Sequence, residues 1–114
     1  MSRAVLVVDD EPLVLAVTAA MLEDLGCETI TAADAQEALE KLADHPRIDI
    51  LITDINMPGM NGYELAERAQ QMRDGLKVIA ISGREQNSNA LPLIRKPFLV
   101  SDLQRTMAQY AGLC

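Results

Sequence analysis

Apolar residues fall in two rhythms along this chain, short unbroken runs and longer stripes at helical spacing, and the two alternate. Ala4 to Val8 is a compact run rich in β-branched residues, the pattern of a strand buried on both faces. Pro12 suits the first turn of a helix that Gly26 can end just after Leu25. Glu28 to Thr31 reads as a second strand. Asp34 and Glu37 have the spacing of a capping box, and Ala35, Ala38, Leu39 and Leu42 form one stripe behind them. A third strand is expected over Ile48 to Thr53. After a Pro/Gly loop, Leu65, Ala66, Ala69 and Met72 mark a third helix, closed by Asp74-Gly75. Leu76 to Ile81 predicts a fourth strand and Leu93 to Arg95 a short fifth. Ser101 is placed to cap a last helix with the stripe Leu103, Met107 and Tyr110. In the first helix, Val14, Val17 and Met21 are expected to face the core. That leaves Leu15, Ala19 and Leu22 as a second apolar stripe on the other side.

Strands alternating with helices predict right-handed βαβ units and a parallel sheet covered on both faces. Length and composition agree with one such domain over residues 1–114: nearly half the residues are apolar (49%) and 24% are charged. Seventeen acids against ten Lys and Arg give a net charge of −7. That balance argues against direct binding to nucleic acid or an anionic membrane, both of which need a basic face. The longest nearly apolar run, Leu13 to Leu22, is too short to cross a bilayer, and no signal peptide is expected. Cys27 and Cys114 are too few for a disulfide framework. Cys27 reads as a small buried hydrophobe in a reduced, cytoplasmic domain. His45, before Pro46, reads as structural at a helix end, and the six methionines as core filler.

In open α/β sheets, ligands sit beyond the carboxyl ends of the strands. Here the first strand ends in Asp9-Asp10-Glu11, the third in Asp54, the fourth in Ser82 and the fifth in Lys96-Pro97. Singly, each has a plain structural reading. Asp10 or Glu11 would cap a helix, Asp54 would start a turn, Ser82 would be a strand-end hydroxyl and Lys96 a solvated lysine. Jointly, they place strong chemistry at four strand ends. Converging carboxylates make a hard-oxygen site suited to Mg²⁺. Asp9, Asp10 and Asp54 against Lys96 leave two negative charges, which would repel a phosphoryl dianion until a divalent cation offsets them. The constellation reads as metal-dependent phosphoryl chemistry with a carboxylate available as nucleophile.

These residues resemble the receiver domains of two-component response regulators, from about Ala4 to Ala111. The resemblance rests on Asp9-Asp10-Glu11-Pro12, Asp54 within Ile-Thr-Asp-Ile-Asn-Met-Pro-Gly-Met-Asn-Gly, Ser82, and Lys96-Pro97-Phe98. It implies a flavodoxin-like three-layer α/β/α sandwich with a five-stranded parallel sheet in the order 2-1-3-4-5. It implies that Asp54 accepts a phosphoryl group from a histidine kinase or histidine phosphotransfer protein. Mg²⁺ would be held by Asp10, Asp54 and the backbone carbonyl of Asn56, with Asp9 acting through a water. Lys96 and Ser82 would bind the phosphoryl oxygens, and Lys96-Pro97 would be cis. The switch would alter binding to a downstream protein partner, and a homodimer is compatible with it. Partners of this family commonly dock near the first helix, which points to Leu15 and Leu22.

Two departures stand out. The family usually has an aromatic three residues before the lysine, where this chain has Leu93. Only thirteen residues separate Ser82 from Lys96; the fifth strand takes the last few, leaving about nine for a parallel crossover that normally takes at least about 10–12 including its helix. Gly83 to Leu91 is also poor helix material. The family's fourth helix is therefore expected to be shortened or absent, with this stretch mobile before phosphorylation. The rival readings are an unphosphorylated interaction module of the same fold and a Mg²⁺-dependent aspartyl phosphohydrolase. The hydrolase would want a second acid where Asn56 stands. An FMN site is disfavoured by the lack of a Ser/Thr/Gly-rich phosphate loop.

Overall fold

A computed structural model describes residues 4–83 and 91–110. Its elements run β1 (Ala4–Val8), α1 (Pro12–Asp24), β2 (Glu28–Ala32), α2 (Ala35–Asp44), β3 (Ile48–Asp54), α3 (Gly62–Met72), β4 (Lys77–Ser82), β5 (Leu93–Arg95) and α4 (Val100–Tyr110). All pairings are parallel and the sheet order is β2-β1-β3-β4-β5. This is the flavodoxin-like order, with β1 and β3 flanking the position where the chain reverses direction across the sheet.

The central strands are apolar without alternation because helices cover both faces. Leu6, Val8 and Leu51 point to one side, where they meet Leu42 of α2 and Leu65 and Ala69 of α3. Val5, Val7, Ile50, Ile52 and Ile79 point to the other and meet Leu22 of α1 and Leu103 and Met107 of α4. Among the described residues, two helices therefore cover each face. The described residues hold four helices, which fits a shortened fourth helix of the family. The expected change of order falls on residues 84–90, which lie outside the described residues.

Local capping explains where several helices begin. Asp34 accepts the Glu37 N–H at 2.8 Å at the start of α2. Asn61 and Glu64 form a reciprocal capping box at α3. At α4 the helix starts one residue before Ser101. There the Asp102 carboxylate accepts the Leu99 N–H at 2.8 Å, so Ser101 is not the cap.

The expected face of α1 is reversed in part. Leu22 is fully buried (0% exposed) and Thr18 with it, whereas Val17 is 45% exposed and Leu13 76%. Leu15 and Met21 both pack at the edge of the α1–α4 core. Leu22 is thus a core residue and not a docking residue. Met72, assigned to the buried stripe of α3, is exposed. Cys27 is buried as expected. His45 is the C-cap of α2, and its Nδ1 donates to the Lys41 carbonyl at 2.9 Å.

Candidate functional site

The carboxyl ends of β1, β3, β4 and β5 bring Asp9, Asp54, Ser82 and Lys96 to one edge of the sheet. Backbone bonds set their levels. Ile55 N–H donates to the Ile81 carbonyl at 3.0 Å, and Lys96 N–H donates to the Ser82 carbonyl at 2.9 Å. Beyond Asp54 the chain loops through Pro58 and Gly59 and returns so closely that Gly62 N–H reaches the Ile55 carbonyl at 2.9 Å. A Cβ at Gly62 would lie 2.4 Å from the Asp54 carbonyl oxygen, so only glycine lets α3 start there. The Lys96–Pro97 peptide is cis.

Asp9, Asp54 and Ser82 are buried. Lys96 extends into the pocket with its side chain 19% exposed. Its Nζ lies 3.1 Å from Asp9 Oδ2, 3.5 Å from Asp54 Oδ1 and 3.8 Å from Glu11 Oε1. Asn56, on the rim, donates from Nδ2 to Ser82 Oγ at 3.3 Å.

Burial pushes the Asp54 carboxyl above its ordinary value. Lys96 opposes that shift, the Asp9 charge adds to it, and a hydrogen bond from the Asn56 backbone opposes it. Lys96 is also raised. Burial, the largest single influence, favours its neutral form, but the hydrogen bond it donates to Asp9 and the charges of Asp54, Asp9 and Glu11 together outweigh it.

One residue enters the site that the charge count over Asp9, Asp10 and Asp54 left out. The Asp9 carboxylate accepts the Glu11 N–H at 2.9 Å, an Asx turn that carries Glu11 back over the pocket. Asp10, at the tip of that turn, is exposed. Among the described residues, the carboxylate oxygens that lie within 4.8 Å of one another belong to Asp9, Glu11 and Asp54. Clustered hard-oxygen donors of this kind can hold a divalent cation such as Mg²⁺.

Beside Lys96, a groove of about 460 Å³ runs along α1, lined by Leu13, Val17, Met21, Pro97 and Phe98. Its walls are almost wholly apolar, and Leu99 and Val100, which follow Phe98, are exposed too. Leu15 lies outside this lining.

Fold and site together define a doubly wound α/β domain with carboxylates and one lysine gathered at its switch point. The chain matches the response regulator receiver domain family over residues 5–104. It is 35% identical over 115 aligned residues to the sensor histidine kinase RcsC of Salmonella typhi, an alignment covering 94% of this chain and 12% of that protein. Among solved structures, the Vibrio cholerae chemotaxis protein CheY4 superposes with a TM-score of 0.89 at 28% identity, covering 96% of this chain and 99% of that one. A CheY-like receiver domain protein from Methanospirillum hungatei JF-1 gives 0.86 at 32% identity, covering 96% and 93%. The chain belongs to the response regulator receiver domain family of two-component systems. Receiver domains are signalling modules rather than classical enzymes. The chain spans only about an eighth of RcsC, so the activity of that whole kinase is not carried over. No helix among the described residues is long and apolar enough to cross a membrane.

Proposed function

We propose that this domain accepts a phosphoryl group on Asp54 from a phosphohistidine of a partner kinase or phosphotransfer protein, in the cytoplasm, and changes its protein contacts as a result. The observation that carries this reading is the placement of Lys96 Nζ 3.5 Å from Asp54 Oδ1 in a buried acidic pocket at the switch point. An Asp54 oxygen attacks phosphorus, the O–P bond forms and the histidine N–P bond breaks. The electron pair leaves on the imidazole nitrogen.

Lys96 pairs with phosphoryl oxygens as charge shifts onto them, and the Ser82 hydroxyl, released from the Asn56 amide, donates to them. Asp9, held 3.1 Å from Lys96, keeps the ammonium in place. Mg²⁺ held by Asp9, Asp10, Asp54 and the Asn56 carbonyl would supply charge compensation and an electrophile for phosphoryl oxygens. The groove beside Lys96 adjoins this chemistry directly. We assign it to a helix of the histidine-bearing partner, with Leu13 and Val17 in place of Leu15 and Leu22.

Intact-mass measurement after incubation with acetyl phosphate and Mg²⁺ tests the acceptor. The native chain should gain one labile phosphoryl group, lost on chelation of the metal beforehand and absent in Asp54→Asn. An adduct of equal yield in Asp54→Asn would show that another residue accepts. Continuous release of phosphate from simple esters would favour the hydrolase.

A further inference from the structure

Glu11 stands at the start of α1 beside the Asp54 pocket. Its carboxylate makes no side-chain capping bond, although the residue is the N-cap of α1. Glutamate is in any case a poor choice for that position. The side chain is 64% exposed, but its base is fixed by the Asx turn from Asp9. The fixed base keeps the carboxylate 3.8 Å from Lys96 Nζ and within 4.8 Å of oxygens of Asp9 and Asp54. Glu11 therefore stands at the mouth of the pocket, outside the buried pair and on the side open to solvent.

We propose that Glu11 is a donor-selectivity residue: its fixed negative charge at the mouth of the Asp54 pocket opposes approach of small, highly charged phosphodonors. The inference rests on Asp54 being the acceptor. A free dianionic donor must bring its charge past Glu11 with no binding energy of its own beyond the phosphoryl group. A protein donor docked in the apolar groove brings the same group with its approach fixed by remote contacts. The Glu11 charge therefore discriminates against the first without abolishing the second. Because Glu11 is largely solvated, the repulsion is screened by salt. It should act on the rate of encounter.

Glu11→Gln isolates the charge, since the two side chains have nearly the same shape and neither is needed to cap α1. Phosphorylation rates at saturating Mg²⁺ are compared for the dianion acetyl phosphate and the less charged phosphoramidate, each at low and high ionic strength. The variant should accept from acetyl phosphate roughly three- to fivefold faster at low salt, as expected for removing one screened charge several ångströms from a dianion. The gain should be smaller with phosphoramidate and should largely vanish near 1 M salt. Equal rates for native chain and variant would overturn the role of Glu11 and leave the acceptor reading standing. So would a loss with both donors that persists at high salt, which would make Glu11 a supporting ligand instead. A native chain that takes no phosphoryl group from either donor would overturn both.

Discussion

At the amino ends of the strands, the Arg73 guanidinium donates to three carbonyls: Leu42 at 2.7 Å, Ile48 at 2.8 Å and His45 at 3.0 Å. At the carboxyl ends, Lys96 faces Asp9, Asp54 and Glu11 and matches none of them one to one. Both cations are partly buried, and both tie together segments far apart in sequence. The first arrangement is neutral on the acceptor side and complete, because the carbonyls come from the end of α2, its C-cap and the first residue of β3. The second leaves negative charge uncompensated in a place from which water is largely excluded. One end of the sheet gains stability by satisfying its polar groups. The other keeps them under repulsion, which ligand binding can relieve.

Removing the satisfied cation should have the largest effect on the fold. Arg73→Ala leaves three carbonyls at the α2–β3 corner without this donor. The domain should lose about 2–4 kcal/mol, the range for breaking a partly buried, charge-assisted network. Urea unfolding measures it directly. Arg73→Lys should recover only part of the loss, since a single ammonium cannot span three acceptors as the planar fork does. If Arg73→Ala unfolds at the native midpoint, the contrast between the two ends has no energetic content.

Neutralising the strained end should act with the opposite sign. The Asp54 carboxyl is raised on folding, chiefly by burial. The native state then binds its proton more tightly than the unfolded chain does. Between the ordinary carboxylate value of 3.8 and the raised native value, the native state holds more protons, so stability falls as pH rises through that window. Asp54→Asn removes this slope. The variant should match the native chain in acid and gain on it as pH climbs towards neutrality. Lys96 runs the other way at alkaline pH. Its raised value means its contribution is complete below 10.5 and is lost only as pH passes the native value. Since Asp54 is one of the charges holding Lys96 up, Asp54→Asn should lose that contribution at a lower pH than the native chain. Thermal melts from acid to alkaline pH give both comparisons. A stability difference that is flat with pH would contradict them.

The strand ends were legible because each is marked by a short apolar run that stops at a polar residue, and the parallel sheet puts all those stops on one edge. Asp54, Asp9, Ser82 and Lys96 were therefore expected at that edge, and the structure brings them together there. Glu11 was left out of the charge count because its position depends on one side-chain turn. In Asp9-Asp10-Glu11, nothing in the residue types says which acid swings over the pocket and which stays in solvent. Arg73 carries no periodic signal at all, since its partners are backbone carbonyls supplied by other elements. The face of α1 was misjudged for a different reason. Leu13, Val14, Leu15, Val17 and Leu22 spread apolar character nearly all round the helix. A helical period then has no contrast with which to choose a face. What decides is the packing of Leu22 against the sheet and of α1 beside Phe98.

The smallest expected change in stability comes from that exposed side of α1, and it sharpens the comparison by adding a surface that serves neither packing nor charge. Val17 is 45% exposed and lines the groove next to Lys96. Val17→Asn removes apolar surface there without adding charge, so it leaves the electrostatics of the Asp54 pocket alone. Valine and asparagine have similar helix propensities, and an exposed substitution of this kind should shift stability by no more than about 0.5 kcal/mol. Phosphorylation by acetyl phosphate should be unchanged, because a free donor does not touch the groove. Transfer from a phosphorylated histidine phosphotransfer protein should fall several-fold, because part of the docking surface is gone. Leu22→Asn is the contrasting variant. Leu22 is fully buried between α1 and the sheet, so placing an amide there should destabilise the domain by several times that amount and lower transfer from both donors alike. If Val17→Asn slows both donors equally, or neither, the groove is not where the partner sits.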